Sequence, residues 1–187
     1  DTYYWRVRAV DDLGNIGPNS ATRGFVTDTI VNQATLAQPA DGHETNVINF
    51  LVRWNANADS VGIDSYALEV SKSSAFLTMV FTDTIDGTRT TDTVTGLYND
   101  TYYWRVRAVD DLGNQGVYSA IRGFITDTIV NQVTQVQPAD GHETTAINFL
   151  VTWNANVDSV GVDSYMLEVS KSLAFASLVF VDTVDGS

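Results

Sequence analysis

The 187-residue sequence has no cysteine, three prolines, two histidines and ten Lys+Arg against 23 Asp+Glu. Without cysteine there is no disulfide framework, no thiolate nucleophile and no thiolate metal site. An extracellular location stays open; any stability there comes from packing. The formal net charge of −13 argues against nucleic acid or an anionic membrane as partner, because both attract basic surfaces. It suits divalent cations, a saline setting or simple solubility. No apolar run approaches the roughly 18 residues of a membrane-spanning helix, so membrane insertion is not expected. What is present is 44% hydrophobic and 11% aromatic residues, the composition of a folded chain, since disordered ones have few aromatics.

The chain also repeats itself. DTYYWRVRAVDDLGN occupies Asp1–Asn15 and again Asp100–Asn114, an offset of 99 residues that holds without a gap to the end. GFVTDTIVNQ from Gly24 becomes GFITDTIVNQ from Gly123, and QPADGHET recurs from Gln38 and Gln137. About three quarters of the aligned positions are identical. Solenoid units have shorter periods, about 20–50 residues; a period near 100 suits one autonomous domain per repeat.

Within one period the signal is strand-like throughout. Phe50, Val52 and Trp54 alternate with Asn49, Leu51 and Arg53; Tyr66, Leu68 and Val70 alternate with Ala67, Glu69 and Ser71. Tyr102, Trp104, Val106 and Ala108 alternate with Tyr103, Arg105 and Arg107. Between these runs lie the turn-forming pieces PADGHE, NANADSVGID, IDGTR, LYND and DDLGN. No segment sustains a 3.6-residue apolar period. Short alternating strands with frequent turns predict an all-β, antiparallel sandwich of about 100 residues.

These residues resemble the fibronectin type III domain, in the form common in bacterial secreted and cell-surface proteins. TYYWRVRAVDDLGN resembles strand F and its F–G turn, the Trp54 run strand B, SYALEVSK strand C, and TDTVTGL from Thr91 strand E leading to the E–F corner. The resemblance implies tandem Greek-key sandwiches of the immunoglobulin-like type, about 99 residues each. It makes Trp54, Tyr66, Leu97, Tyr102 and Trp104 structural residues, with the Tyr102 hydroxyl bonded back to the E–F backbone. It also fixes the phase. Residues 30–129 are expected to hold one complete domain, 1–29 strands F and G of a preceding one, and 130–187 strands A to C′ of a following one.

A bare F–G hairpin is at best marginally stable in water, so the half-domains are expected to be completed by neighbouring copies of the repeat. That completion comes either in cis, within a longer tandem array, or in trans, between chains. Eleven further residues matching Arg89–Asn99 would bring 187 to 198, two periods of 99.

Candidate sites are few. Asp28, Asp59, Asp64, Asp86, Asp110, Asp111 and Asn114 are expected at one pole of the domain, where their oxygens could hold calcium, which takes six to eight such ligands. The competing reading is that Asp, Asn and Gly are there as turn formers. His43 with Asp41 and Glu44, and His142 with Asp140 and Glu143, read as solvated A–B turns rather than metal sites. Tyr103, Arg105 and Arg107 fall on the outer face of strand F, where an Arg–Glu69 cross-strand pair is expected; Tyr103 and Tyr4 are candidates for stacking on sugar rings. Asn99-Asp100-Thr101 is an N-glycosylation sequon.

No nucleophile elbow, phosphate loop or HExxH helix occurs, and paired aspartates on surface turns lack the apolar pocket that would raise one pKa. No enzymatic activity and no obligate cofactor are expected. The linker FVTDTIVNQATLAQP has no glycine and reads as strand G passing almost directly into strand A, a stiff connection. The sequence thus predicts a structural, extracellular or cell-surface rod or filament serving spacing, display or adhesion. The alternatives are spacer domains of a secreted polysaccharide-degrading enzyme and a calcium-stiffened adhesin.

Overall fold

The computed structural model describes residues 1–186. Its compact units are Asp1–Thr126 and Asp127–Ser187. Among the described residues, every regular element is a strand. The first unit opens with a hairpin of β1 (Thr2–Trp5) and β2 (Arg23–Val26). It continues with eight strands: β3 (Leu36–Gln38), β4 (His43–Thr45), β5 (Phe50–Trp54), β6 (Ile63–Ser71), β7 (Met79–Asp86), β8 (Thr91–Val94), β9 (Asp100–Asp110) and β10 (Arg122–Thr126). The second unit holds β11 (Gln135–Gln137), β12 (Thr152–Trp153), β13 (Ser164–Ser170) and β14 (Leu178–Asp185).

The eight strands form two sheets, ordered β3-β5-β8 and β4-β10-β9-β6-β7. Period-two alternation sets which side chains lie between them. Val52 and Trp54 from β5, Tyr66, Leu68 and Val70 from β6, and Tyr102, Trp104, Val106 and Ala108 from β9 are all buried, together with Phe124 and Val94. Burying each large side chain contributes roughly 1.5–3 kcal/mol. Ring contacts bind the layers: Trp54 lies 5.4 Å from Tyr66, and Phe124 lies between Phe50 at 5.0 Å and Tyr102 at 5.6 Å.

The β8–β9 corner is closed by one hydroxyl. Tyr102 Oη accepts the Tyr98 N–H at 2.9 Å and donates to the Tyr98 carbonyl at 3.2 Å. Thr126 Oγ1 donates to the same carbonyl, and Leu97 is buried beneath the corner.

Two segments depart from the sequence reading. His43 and Glu44 do not lie in a turn. They form β4, which pairs in parallel with β10, while the Asp41 carboxylate accepts the Gly123 N–H at 2.6 Å. The chain leaves one sheet after β3 and joins the other at β4. Three polar residues carry no alternation that could announce such an edge strand. The linker also does not run straight from strand to strand. Nine residues, 27–35, separate β2 from β3; Thr27 exchanges backbone bonds with Asp1 and the Thr35 carbonyl accepts the Asn55 N–H, while Val31 and Ala34 between them are buried.

Near-identical sequences form longer strands where more partners are present. DTYYWRVRAVD forms the eleven residues of β9, which is paired with β6 on one side and β10 on the other. The same letters at the start of the chain form only the four residues of β1, which has β2 alone. Likewise β5, flanked by β3 and β8, has five residues, whereas its counterpart β12, with β11 alone, has two. Backbone groups extend as a strand where a neighbour completes their hydrogen bonds.

Replacing Tyr102→Phe removes both corner bonds and leaves the Tyr98 N–H without this acceptor. A loss of about 1–3 kcal/mol is expected in urea unfolding of the complete sandwich. An unchanged midpoint would show that the corner hydroxyl is dispensable.

Candidate functional site

The acidic pole is built from turns that use their own carboxylates. Asp110 is buried at the end of β9; its Oδ1 accepts the N–H groups of Leu112 at 2.9 Å and Asn114 at 2.8 Å, and its Oδ2 accepts Asn114 Nδ2 at 2.7 Å. Burial pushes this carboxyl up, but the Asn114 side chain and the Asn114 and Leu112 amides together outweigh it and hold the group below the usual carboxylate range. Gly113, at φ 85°, permits the turn. Asp11 makes the same loop with Leu13 and Asn15 in the first copy.

The carboxylates of Asp59, Asp86 and Asp28 are engaged as well. Asp59 accepts the Val61 N–H at 3.0 Å, and Asp86 accepts the Thr88 N–H at 2.9 Å and its hydroxyl at 2.5 Å. The Asp111 carboxylate lies against Gly62, where a Cβ would come within 2.7 Å of Oδ2. The Asp64 carbonyl accepts the Gly87 N–H at 2.8 Å. Asp28, in the linker, takes the Ser60 hydroxyl on one oxygen and the Ile30 N–H on the other. Among the described residues, no three carboxylate or imidazole groups gather as a metal ion would require.

The outer face of the five-stranded sheet carries the densest side-chain cluster. The β6–β9 register sets Glu69 opposite Arg105, and their side chains meet at 2.7 and 2.8 Å. The Arg105 guanidinium sits 3.9 Å from the Phe76 ring centroid and 3.8 Å from that of Tyr118, and Arg107 lies 4.8 Å from Tyr118. Tyr118 Oη donates to Glu69 Oε1 at 2.5 Å. Burial first, and the Glu69 carboxylate second, raise the Tyr118 phenol above its ordinary value. The result is a ladder of alternating aromatic and guanidinium planes, each contact contributing about 0.5–1 kcal/mol where exposed. Beside it runs an open groove of about 330 Å³ lined by Glu69, Thr82, Asp83, Thr84, Arg107 and Tyr118, among others.

The sequence pattern placed Arg105, Arg107 and Glu69 on this face but missed Tyr118 and Phe76. Tyr118 did carry a signal: it stands where the other copy has Asn19. Two guanidinium groups, of Arg105 and Arg107, lie over its ring. Tyr103 packs over Gly123, and Tyr4 over Gly24. Asn99 is exposed at the corner before β9. His43 is exposed and stacks on Phe50 at 5.4 Å.

One carboxyl sits in an unfavourable place. Asp92 on β8 is opposite the buried Val52, so it points into the sandwich at the edge where Asp83 on β7 approaches. Burial raises its pKa, the Thr93 amide opposes that, and Asp83 raises it further. Oδ2 is buried without a hydrogen-bond partner, and Arg89 reaches Oδ1 only at 3.8 Å.

The strand order, three strands against five with the first strand shared between sheets, is that of a fibronectin type III-like β-sandwich. No protein-family model matches the chain, and no curated protein does. Among solved structures, the chain is similar to fibronectin(III)-like modules of Clostridium thermocellum CbhA, at 16% identity, with 52% of this chain and 99% of that one covered and a TM-score of 0.39. It is similar also to the chicken CNTN1 FN1–FN3 domains, at 10% identity over 98% of this chain and 67% of that one, with a TM-score of 0.41. The fold assignment rests on the strand order.

Asp92→Asn is expected to raise the unfolding midpoint at neutral pH, because ionised Asp92 is destabilised in the folded state. A raised carboxyl pKa means that this cost is present above the folded pKa and disappears as pH falls through it. The two midpoints should therefore converge on acidification. A gain independent of pH would contradict the assignment. Since the Asp28, Asp59, Asp86 and Asp110 carboxylates are engaged by nearby amides and hydroxyls, adding calcium or a chelator should leave the midpoint unchanged; a calcium-dependent rise would restore the ion-site reading.

Proposed function

We propose that this chain is a non-catalytic, structural segment of an extracellular or cell-surface protein, in which fibronectin type III-like repeats form a stiff spacer for display or adhesion. The observation that carries this reading is the pinned linker. Asn114 Nδ2 donates to the Asp28 carbonyl at 3.0 Å, Asn32 Nδ2 to the Ala58 carbonyl at 3.2 Å, and Asn57 Nδ2 to the Asn32 carbonyl. With the Ser60–Asp28 bond these contacts fasten the linker to two loops of the domain it enters. Val31 packs on Gly116, where a Cβ would lie 3.2 Å from Val31 Cγ1.

The second unit repeats the device: Ser159 to Asp127, Asn131 to the Val157 carbonyl, and Asn156 to the Asn131 carbonyl. A tether meant to flex needs none of this. Fibronectin type III-like modules commonly serve as such non-catalytic spacers, which supports the reading.

The Ser60 hydroxyl, then the Ile30 amide, holds the Asp28 carboxyl below its ordinary value. A depressed carboxyl pKa means that the clasp is fully formed above the unfolded value and is lost as pH falls through the folded one. The test is backbone dynamics of residues 28–33. Asp28→Ala with Ser60→Ala should lower their order parameters from about 0.85 toward 0.6 and make the linker a proteolytic cut site. A linker equally ordered in the variant, or already mobile in the parent, would contradict the stiff-spacer reading.

A further inference from the structure

We propose that the notch on the outer face of the five-stranded sheet, floored by Ala67 and walled by Arg107, Tyr118, Thr82 and Thr84, binds an acidic sugar whose carboxylate sits on the Arg107 guanidinium. This adds a ligand to the spacer reading, and it uses residues that take no part in the linker clasp. Three observations carry it.

The first is the shape of the surface. Outward residues of neighbouring strands form rows across a sheet. The registers set Arg107, Ala67 and Thr84 in one row, and Arg105, Glu69 and Thr82 in the next. Ala67 is the smallest of these side chains, so the face dips there between taller neighbours. The open groove of about 330 Å³ lies at this dip, a volume at the small end of ligand sites. Asp83 also borders it, but stands opposite the buried Leu68 and so belongs to the inner side of β7.

The second is an unpaired charge. Both oxygens of Glu69 are engaged, Oε2 by Arg105 and Oε1 by the Tyr118 hydroxyl. Arg107 is left without a carboxylate. Among the described residues it forms no ion pair, and its Nε is buried without a hydrogen-bond partner. Tyr118 packs on this guanidinium at 4.8 Å. Two outward guanidinium groups against one outward carboxylate make the face locally positive on a chain of net charge −13. The fork of a free guanidinium matches a carboxylate in shape as well as charge.

The third is where the repeats differ. Glu69, Thr84 and Arg107 recur as Glu168, Thr183 and Arg8, whereas Ala67, Thr82 and Tyr118 are replaced by Met166, Val181 and Asn19. Methionine would fill the floor, valine lacks the hydroxyl and asparagine lacks the ring. The notch is therefore particular to one repeat and is not a consequence of the shared sandwich.

The wall across the floor from Arg107 selects among anions. Thr82 and Thr84 are exposed, and each hydroxyl offers one donor and two acceptor positions. They complement hydroxyl groups on a ring whose C–H face rests on the Ala67 methyl. A carboxylate and hydroxyls on one such ring describe a hexuronic acid. A neutral sugar would leave Arg107 unpaired, and an acidic protein side chain would leave the threonines unused.

The experiment is an amide NMR titration of the 187-residue chain with D-glucuronate and with D-galacturonate. Glucose serves as the neutral control, and acetate stands in for the carboxylate of a protein side chain. The expected result is saturable shifts confined to residues 67, 82–84, 107 and 118, with a dissociation constant of about 1 mM for at least one uronate. Glucose and acetate should bind at least roughly tenfold more weakly. Arg107→Gln should weaken uronate binding about tenfold, and Ala67→Met should abolish it by filling the notch. Both positions lie on the outer face, so an unchanged unfolding midpoint serves as the control for folding. No shift with either uronate overturns the proposal. Acetate binding as tightly as the uronates overturns it in favour of a bare anion site, and uronate shifts that survive Ala67→Met place the ligand elsewhere.

Discussion

The pairing of β9 between β6 and β10 is the interaction on which the rest of the structure depends. Its inward residues, Tyr102, Trp104, Val106 and Ala108, form the middle of the core and are all fully buried. Its outward residues carry Arg105 and Arg107 into the aromatic ladder, its first turn anchors the Tyr102 corner, and its last residue, Asp110, closes the loop that holds the linker through Asn114. Core, outer face and inter-repeat junction therefore share one strand. The copy of that strand at the start of the chain keeps the letters, lacks the β6-like neighbour, and forms a strand only four residues long. Tertiary pairing, more than local propensity, sets strand length here.

What could be read from sequence follows from that. Period-two alternation is strong where one face is dry and the other wet, so the inward sets of β5, β6 and β9 could be named residue by residue. The Glu69–Arg105 pair was legible because both lie on outward positions of adjacent strands. The β4 edge was not: His43, Glu44 and Thr45 are polar, and a parallel pairing with a strand some eighty residues later leaves no local trace. Nor was the linker clasp, because Asn32, Asn57 and Asn114 look like ordinary turn residues until their side-chain amides are seen to reach backbone carbonyls.

The acidic pole shows how one composition supports two readings. Seven oxygen-bearing side chains in adjoining loops suggest a cation, but an Asx turn uses the same residues to satisfy its own amides. The geometry favours the turns: Asp110 alone takes two backbone N–H groups and one side-chain amide. Asp92 is the contrary case. In TDTV it occupies an inward position and meets Asp83 at the sandwich edge, a carboxyl kept where the fold disfavours its charge. Only the Thr93 amide and the distant Arg89 offset it.

The central claim is that neighbouring strands, rather than sequence, give the TYYWRVRAV segment its extended form. Amide hydrogen exchange by NMR in dilute monomer tests it within one molecule, since the two copies have the same residues and distinct surroundings. The account predicts strong protection from Tyr102 to Ala108, approaching the global unfolding free energy, and rapid exchange from Arg6 to Ala9 in the other copy. Equal protection of the two copies would contradict it.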